Sequence, residues 1–370
     1  MEAQVDQSSS STTYTVVARR YRPKSFDELI GQDHVSQALA KAIATGRVGH
    51  AYLFTGARGV GKTSTARIFA KALSISDDMP PAMVAEIASA IDSGDDMDVI
   101  EIDGASNRRI EEIRQLRSNV NVRPGRARFK IYIIDEVHML TKEAFNALLK
   151  TLEEPPEHVK FIFCTTDPEK IPITILSRCQ RYDFVPVQLE AIQKRLTEIA
   201  QSEGFRIEAE AVTLLARRAA GSMRDSQSLL EQVMSFSTGA ITADQVHTLL
   251  GTADESSLQS IVEALRDHDP LAAIATVDSA TADGADAGQM TEQLLNYLRD
   301  LMAAGIGGGP QTLKFANPAG HAQIKKLADD LGVQTILSAI QILDEALVRM
   351  RASVSAMTLL EVALVQISQL

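Results

Sequence analysis

"HAYLFTGARGVGKTSTARIFAKAL" (residues 50–73) reads as a short apolar strand at 51–54, a glycine-rich loop at 56–63 and an apolar-periodic helix. A glycine-rich turn between a buried strand and a helix is a phosphate cradle. Gly56, Gly59 and Gly61, interleaved with Ala57, Arg58 and Val60, let the backbone turn tightly, so that successive N–H groups point inward at anionic oxygens. The helix behind them, with Ser64 in its first turn, adds its positive N-terminal dipole. Lys62 places a cation on β- and γ-phosphates, and the Thr63 hydroxyl suits Mg²⁺. A chance match to G-x-x-x-x-G-K-[ST] is the plainer alternative, and the flanking strand and helix weigh against it. A bound nucleoside triphosphate is the expectation.

The 370 residues, 45% hydrophobic and 23% charged, suit two or three globular domains. No run of about 18 apolar residues occurs, so no membrane span is expected. Residues 1–13 lack an apolar segment and carry acidic residues; they read as a disordered tail rather than a targeting peptide. Cys164 and Cys179 are the only two cysteines, which excludes a disulfide framework and fits a reducing cytoplasm. The net charge of −11 means that nucleic acid, if bound, must meet a local basic patch.

Strands alternate with helices over residues 14–186, with candidates at 51–54, 98–103, 130–135 and 160–166. That alternation predicts a parallel, doubly wound α/β domain, and "FVPVQLE" (184–190) closes the α/β part of the chain. A small helical domain is expected over 189–251, and long helices over 252–370. "AAGIGGGP" (303–310) reads as a break between helices, because no strand precedes it and no Lys-Thr follows.

"KIYIIDEVHML" (130–140) is an apolar strand ending in Asp135 and Glu136. A carboxylate at the C-terminal end of a buried strand meets Mg²⁺ held by the cradle, and the next one can polarise an attacking water. Thr165 and Thr166 end the following strand, where a hydroxyl senses a γ-phosphate or simply caps the strand. Arg178 lies too far along the chain for its own cradle; it is either a finger toward a neighbouring subunit or a surface ion-pair residue. Arg224, in "AAGSMRDSQSLLEQ" (219–232), either folds down over the nucleotide or lies on a solvated helix face.

Residues 108–130 hold seven Arg and one Lys against two Glu. Arg108, Arg109, Arg123 and Arg126 are the candidates for phosphate-backbone contact, the alternative being a solvated helix face. Aromatic residues are sparse there, which favours tracking of duplex backbone over stacking on single strands.

Together "VVARRYRPKSFDELIGQDHV", the cradle stretch, "IEIDGASNRRIEEIR", "IYIIDEVHMLTKEAFNALLKTLEEPPEHVKFIFCTTDPEKIPITILSRCQ" and "AAGSMRDS" closely resemble the gamma/tau subunits of bacterial DNA polymerase III. That family comprises AAA+ ATPases, the motors of sliding-clamp loaders. The resemblance is dense over residues 16–251 and looser beyond. It implies an AAA+ P-loop NTPase domain at 14–188, a helical lid at 189–251 and an all-helical collar for oligomerisation at 252–370. Residues 56–63 become the Walker A loop, Asp135 and Glu136 the Walker B pair, Thr166 sensor 1, Arg178 the trans-acting finger and Arg224 sensor 2. Val17, Ala18, Arg22, Ile30 and Gly31 fall near the adenine. ATP and Mg²⁺ are the implied ligands, and a DNA-directed DNA polymerase (nucleotidyltransferase) holoenzyme is the implied setting. The implied partners are delta and delta-prime subunits in a hetero-pentamer, the clamp and primed duplex DNA.

The family usually carries four cysteines between the Walker A helix and the next strand. The matching positions here are Ile75, Ala82, Ala85 and Ala88, none of which binds zinc, so no zinc is expected. The alanine spacing instead predicts a helix over 81–91, with proline in its first turn and Gly94 past its end. Two other readings stay open: a different AAA+ DNA motor for branch migration or replication restart, and a non-catalytic scaffold subunit of the loader. Intact Lys62, Thr63, Asp135 and Glu136 weigh against the second.

Overall fold

A computed structural model describes residues 14–76, 78–106, 119–351 and 355–370. The expected tail at 1–13, and Arg108 and Arg109, lie outside the described residues. The chain divides between Ala240 and Ile241 into two compact units.

Five parallel strands form the sheet of the first unit: β1 (Ala51–Thr55), β2 (Val99–Asp103), β3 (Lys130–Asp135), β4 (Val159–Thr165) and β5 (Gln180–Asp183). Their spatial order is β2-β3-β4-β1-β5. Side chains of a strand alternate between faces, and each face here has its own core. Tyr52, Phe54, Ile131, Ile133 and Ile162 pack against Leu39, Phe69 and Leu73, from helices α2 (Asp33–Ala44), which follows the single-turn α1 (Val17–Arg20), and α3 (Lys62–Ser74). Leu53, Tyr132, Ile134, Phe161 and Phe163 pack on the other face against Phe145, Leu148 and Leu152. Helices on both faces explain why β1, β3 and β4 read as unbroken apolar runs.

The expected helix at 81–91 forms as α4 (Pro81–Ser93), ending at Gly94. Residues 184–188 carry the chain out of the sheet into the next helix, and the strand that precedes them, β5 in the polar "QRYD", is one that the sequence candidates do not include. Beyond α5 (Lys142–Glu153) and the short α6 (Ile173–Leu176), the first unit ends in three helices. They are α7 (Leu189–Ser202), α8 (Ala209–Arg218) and α9 (Met223–Met234). Ser222 caps α9 by accepting from the Asp225 N–H at 3.2 Å, which puts Arg224 in its first turn.

The described residues of the second unit are mainly helical: α10 (Ala243–Leu250), α11 (Glu255–Arg266), α12 (Pro270–Ala282), α13 (Ala287–Gly305), α14 (His321–Leu331), α15 (Val333–Met350) and α16 (Ala356–Ile367). Helix α10 groups with this unit, whereas the sequence expectation places it with the preceding helices up to residue 251. The Gly251 carbonyl accepts the Asp286 N–H at 2.8 Å, tying the end of α10 to the start of α13. The glycine break after α13 stands as expected. Among the described residues no single helix is long and apolar enough to cross a membrane.

The basic loop before β3 is organised by a buried carboxylate. Asp98 accepts the N–H groups of Gly125, Arg126 and Ala127 at 2.8–3.0 Å. Burial alone would raise its pKa, but those three donors and Lys130 outweigh it, and the carboxyl titrates below the usual range. A depressed folded pKa means that this stabilisation is present above the ordinary value and is lost as pH falls through the folded one. Asp98→Asn is therefore expected to cost about 1–3 kcal/mol at neutral pH, through weaker acceptance by a neutral amide. Urea unfolding at neutral pH and at about pH 3 should show the gap from wild type narrowing in acid. A pH-independent gap would put the effect in packing.

Candidate functional site

The C-terminal ends of β1 to β4 carry the chemistry, as expected where open α/β sheets bind ligands. The loop leaving β1 returns on itself: the Lys62 ammonium donates to the Gly56 and Ala57 carbonyl oxygens, each at 2.8 Å. Lys62 is only 6% exposed. Burial lowers its pKa, opposed by Cys164, Glu136 and Asp135. The Thr63 hydroxyl donates to Asp135 Oδ2 at 2.6 Å, so strand β3 delivers its carboxylate to the first turn of α3. Glu136 follows, its Oε2 accepting from the Thr166 hydroxyl at 3.2 Å. Cradle, acidic pair and the threonine after β4 thus form one connected set.

A cavity of about 610 Å³ opens beside this set, lined by residues of the first unit only. Ala18, Arg22, Ile30, Arg58, Gly59, Val60, Gly61, Lys62, Thr63, Ser64, Asp135, Glu136 and Arg224 all line it. Its walls carry seven basic against four acidic side chains, a surplus that suits a polyanion. Burial, with repulsion from Arg67 and Arg224, lowers the Arg22 pKa against the pull of Glu101 and Asp135.

Other sequence candidates lie differently. Val17 is fully buried and its N–H donates to Glu231 at 3.1 Å. Gly31 has φ +72°, and a Cβ there would meet Val187 at 3.5 Å. Gly56 and Ala57 act through the carbonyls that hold Lys62. Arg178 is not among the lining residues; its guanidinium reaches Glu153 and the Thr174 carbonyl, each at 2.6 Å. Arg123 is exposed, whereas Arg126 pairs with Glu86 at 2.5 Å and Asp96 at 3.1 Å.

Two contributors escape sequence reasoning, Gln32 and Arg67, and the predicted cradle residue Gly59 has a second role. Gln32 is 1% exposed, and its amide exchanges hydrogen bonds with both backbone groups of Val185, clamping the chain after β5. Arg67, four residues past Thr63 and so on the same face of α3, lines the cavity and forms a bidentate pair with Glu101. Gly59 adopts φ +75°, and a Cβ there would collide with the Ser222 side chain. The Arg224 N–H donates to the Gly59 carbonyl at 3.3 Å, seating the start of α9 directly on the cradle. Of Gln32 and Arg67, only Arg67 leaves a signal in the sequence, its spacing from Thr63.

Thr63 and Asp135 offer a hydroxyl and a carboxylate within 2.6 Å of each other, hard oxygen donors that fit Mg²⁺.

Comparison with known proteins bears on this site. Residues 31–188 match the family model described as DNA polymerase III, delta subunit. Residues 191–239 match DNA polymerase III clamp loader subunit, ATPase lid domain, and residues 241–370 match DNA polymerase III subunits gamma and tau domain III. The chain is 44% identical over 288 residues to the DNA polymerase III subunit tau of Escherichia coli, covering 77% of this chain and 45% of that protein. It is 37% identical over 287 residues to the DNA polymerase III subunit gamma of Buchnera aphidicola from Acyrthosiphon pisum, covering 77% of this chain and 80% of that one. The chain thus spans about half the length of the tau relative. Among solved structures, the Thermotoga maritima RuvB Holliday junction branch migration motor aligns at TM-score 0.48 and 20% identity, over 66% of this chain and 79% of that one.

Proposed function

The chain belongs to the gamma and tau subunit family of DNA polymerase III, and we propose that it is the ATPase motor of a sliding-clamp loader. One observation carries the reading: Lys62, Thr63, Asp135, Glu136 and Thr166 form a single connected set beside a basic cavity. A scaffold subunit would not need them.

The triphosphate seats on the backbone N–H groups of residues 56–63, with Lys62 against its β- and γ-oxygens. Thr63 and Asp135 would hold Mg²⁺, which when bound would neutralise charge on the phosphates. Glu136 takes the proton of the attacking water, and Thr166 keeps that carboxylate aimed at it. Arg224 enters from α9, so the lid helices register whether a γ-phosphate is present. Ala18, Arg22 and Ile30 contact the nucleoside end, with Val17 and Gly31 supporting them from behind.

ATP binding in this reading assembles loader subunits, delta and delta-prime among them, into a hetero-pentamer that holds the clamp open around primed duplex DNA. Hydrolysis releases it, within a DNA polymerase holoenzyme and in the cytoplasm. The collar is the second unit, and a basic face that includes exposed Arg123 tracks the DNA backbone. The 75–94 segment carries no zinc, its cysteine positions being filled by Ile75, Ala82, Ala85 and Ala88.

The test combines purified protein, partner subunits, clamp and primed circular DNA. ATPase turnover should rise with clamp plus primed DNA well above turnover with DNA alone, and clamps should become topologically linked to the circle. Equal stimulation by DNA alone, with no linked clamp, would favour a translocating motor instead.

A further inference from the structure

His138 has no part in the site as described, yet its side chain is only 7% exposed and lies at the heart of it. It occupies the single 3₁₀ turn Val137–Met139 that leaves Glu136. Its Nδ1 lies 3.0 Å from the Thr165 hydroxyl and 3.4 Å from Glu136 Oε2, and its Nε2 lies 3.3 Å from Asp167 Oδ2.

The backbone beneath is already constrained. Glu136 has φ +45°, a left-handed conformation that a non-glycine residue holds only when its surroundings enforce it. Gly104 supplies part of that enforcement. Its N–H donates to the Asp135 carbonyl at 2.7 Å, and a Cβ there would stand 2.7 Å from the Glu136 carbonyl oxygen. What the backbone leaves open is the aim of the Glu136 carboxylate, and that is set by Thr166 on one side and His138 on the other.

The chemistry of the partners assigns the ring. Asp167 is an acceptor, so Nε2 carries a hydrogen and donates it to that carboxylate. Nδ1 then accepts from the Thr165 hydroxyl, whose oxygen in turn accepts the Asp167 N–H at 3.0 Å. In this tautomer Nδ1 turns a lone pair, not a proton, toward Glu136. The lone pair, 3.4 Å from Oε2, keeps the carboxylate off the ring and so turns it onto the Thr166 hydroxyl.

We propose that His138 is a positioning residue for hydrolysis, bracing the Glu136 carboxylate against the end of β4 so that Glu136 and Thr166 act in one fixed geometry. This rests on the reading of Glu136 as the water-activating base.

Three variants test it in the assembly that supports wild-type turnover. His138→Ala should lower kcat by about 10- to 10²-fold, the scale of a misplaced catalytic group, because Glu136 loses its brace. The dissociation constant for a fluorescent ATP analogue should stay within about threefold, since no nucleotide contact is removed. His138→Asn should recover most of the rate, because its Oδ1 stands where Nδ1 accepts from Thr165. Independently of activity, ¹⁵N spectra of histidine-labelled protein, assigned by the signal lost in His138→Asn, should show the Nε2–H tautomer. Wild-type turnover in His138→Ala, a parallel loss of ATP affinity, or an Nδ1–H tautomer would each overturn the proposal. Glu136→Gln separates the two levels. If it hydrolyses normally, the base assignment itself fails; if it is inactive while His138→Ala is normal, only the role of His138 fails.

Discussion

Lys62→Ala is expected to lose ATP hydrolysis by at least about 10²-fold, the cost of removing one preorganised charge from a developing transition state, and to weaken ATP binding as well. Lys62 is the lysine among the cavity-lining residues; Arg58 is the other cation of the loop, but Lys62 is the one held on the loop's own carbonyls. Its ammonium lies over the loop, on the Gly56 and Ala57 carbonyls. A phosphate meeting the loop N–H groups meets that charge with them. The substitution also removes two charge-assisted hydrogen bonds within the loop. A stability cost of about 1–3 kcal/mol should therefore accompany the loss of activity, visible as a lowered melting temperature without nucleotide. ATP should stabilise the wild type against heat and leave the variant nearly unchanged, because only a ligand bound to the folded state shifts the transition. A variant that binds and turns over ATP normally would remove the assignment of residues 56–63 as the nucleotide site.

What the sequence makes legible follows from burial. Strands β1, β3 and β4 are covered on both faces, so their apolar runs stand out. The polar sequence of β5 hides it, because that strand pairs only with β1, and its side chains are mostly exposed. Asp135 is legible for a related reason: a carboxylate closing a buried strand contrasts with everything before it. His138 is not, since its partners Thr165 and Asp167 come from a different strand end, 27 and 29 residues away, brought near only by the pairing of β3 with β4. Gln32 and Gly104 share that difficulty. Each is defined by what it touches across the fold, Val185 for one and the carbonyls of 135–136 for the other, and no local periodicity marks such contacts.

Arg178→Ala is expected to lower hydrolysis by about 10³- to 10⁵-fold, the worth of a trans-acting arginine finger, with ATP affinity close to normal. The structure sharpens the alternative that this prediction must defeat. Arg178 pairs with Glu153 at 2.6 Å, so a purely structural account assigns it to an ion pair at the end of α5. Both side chains are partly exposed, 31% and 51%, and such a pair contributes at most about 1 kcal/mol. Glu153→Gln breaks the same pair while leaving the arginine in place. If Arg178 serves only to hold α5, the two variants should behave alike. If it serves a neighbour, Glu153→Gln should hydrolyse near the wild-type rate, or faster once the guanidinium is released, while Arg178→Ala is almost inactive. Mixing carries the argument between chains. Lys62→Ala retains the finger and lacks the cradle, and Arg178→Ala retains the cradle and lacks the finger. Where the two meet in one assembly, some interfaces pair an intact cradle with an intact finger, and turnover should rise above the sum of the separate variants. Mixed assemblies that demonstrably form and still show no recovery would place Arg178 on its own chain, and with it the whole account of hydrolysis between subunits would fall.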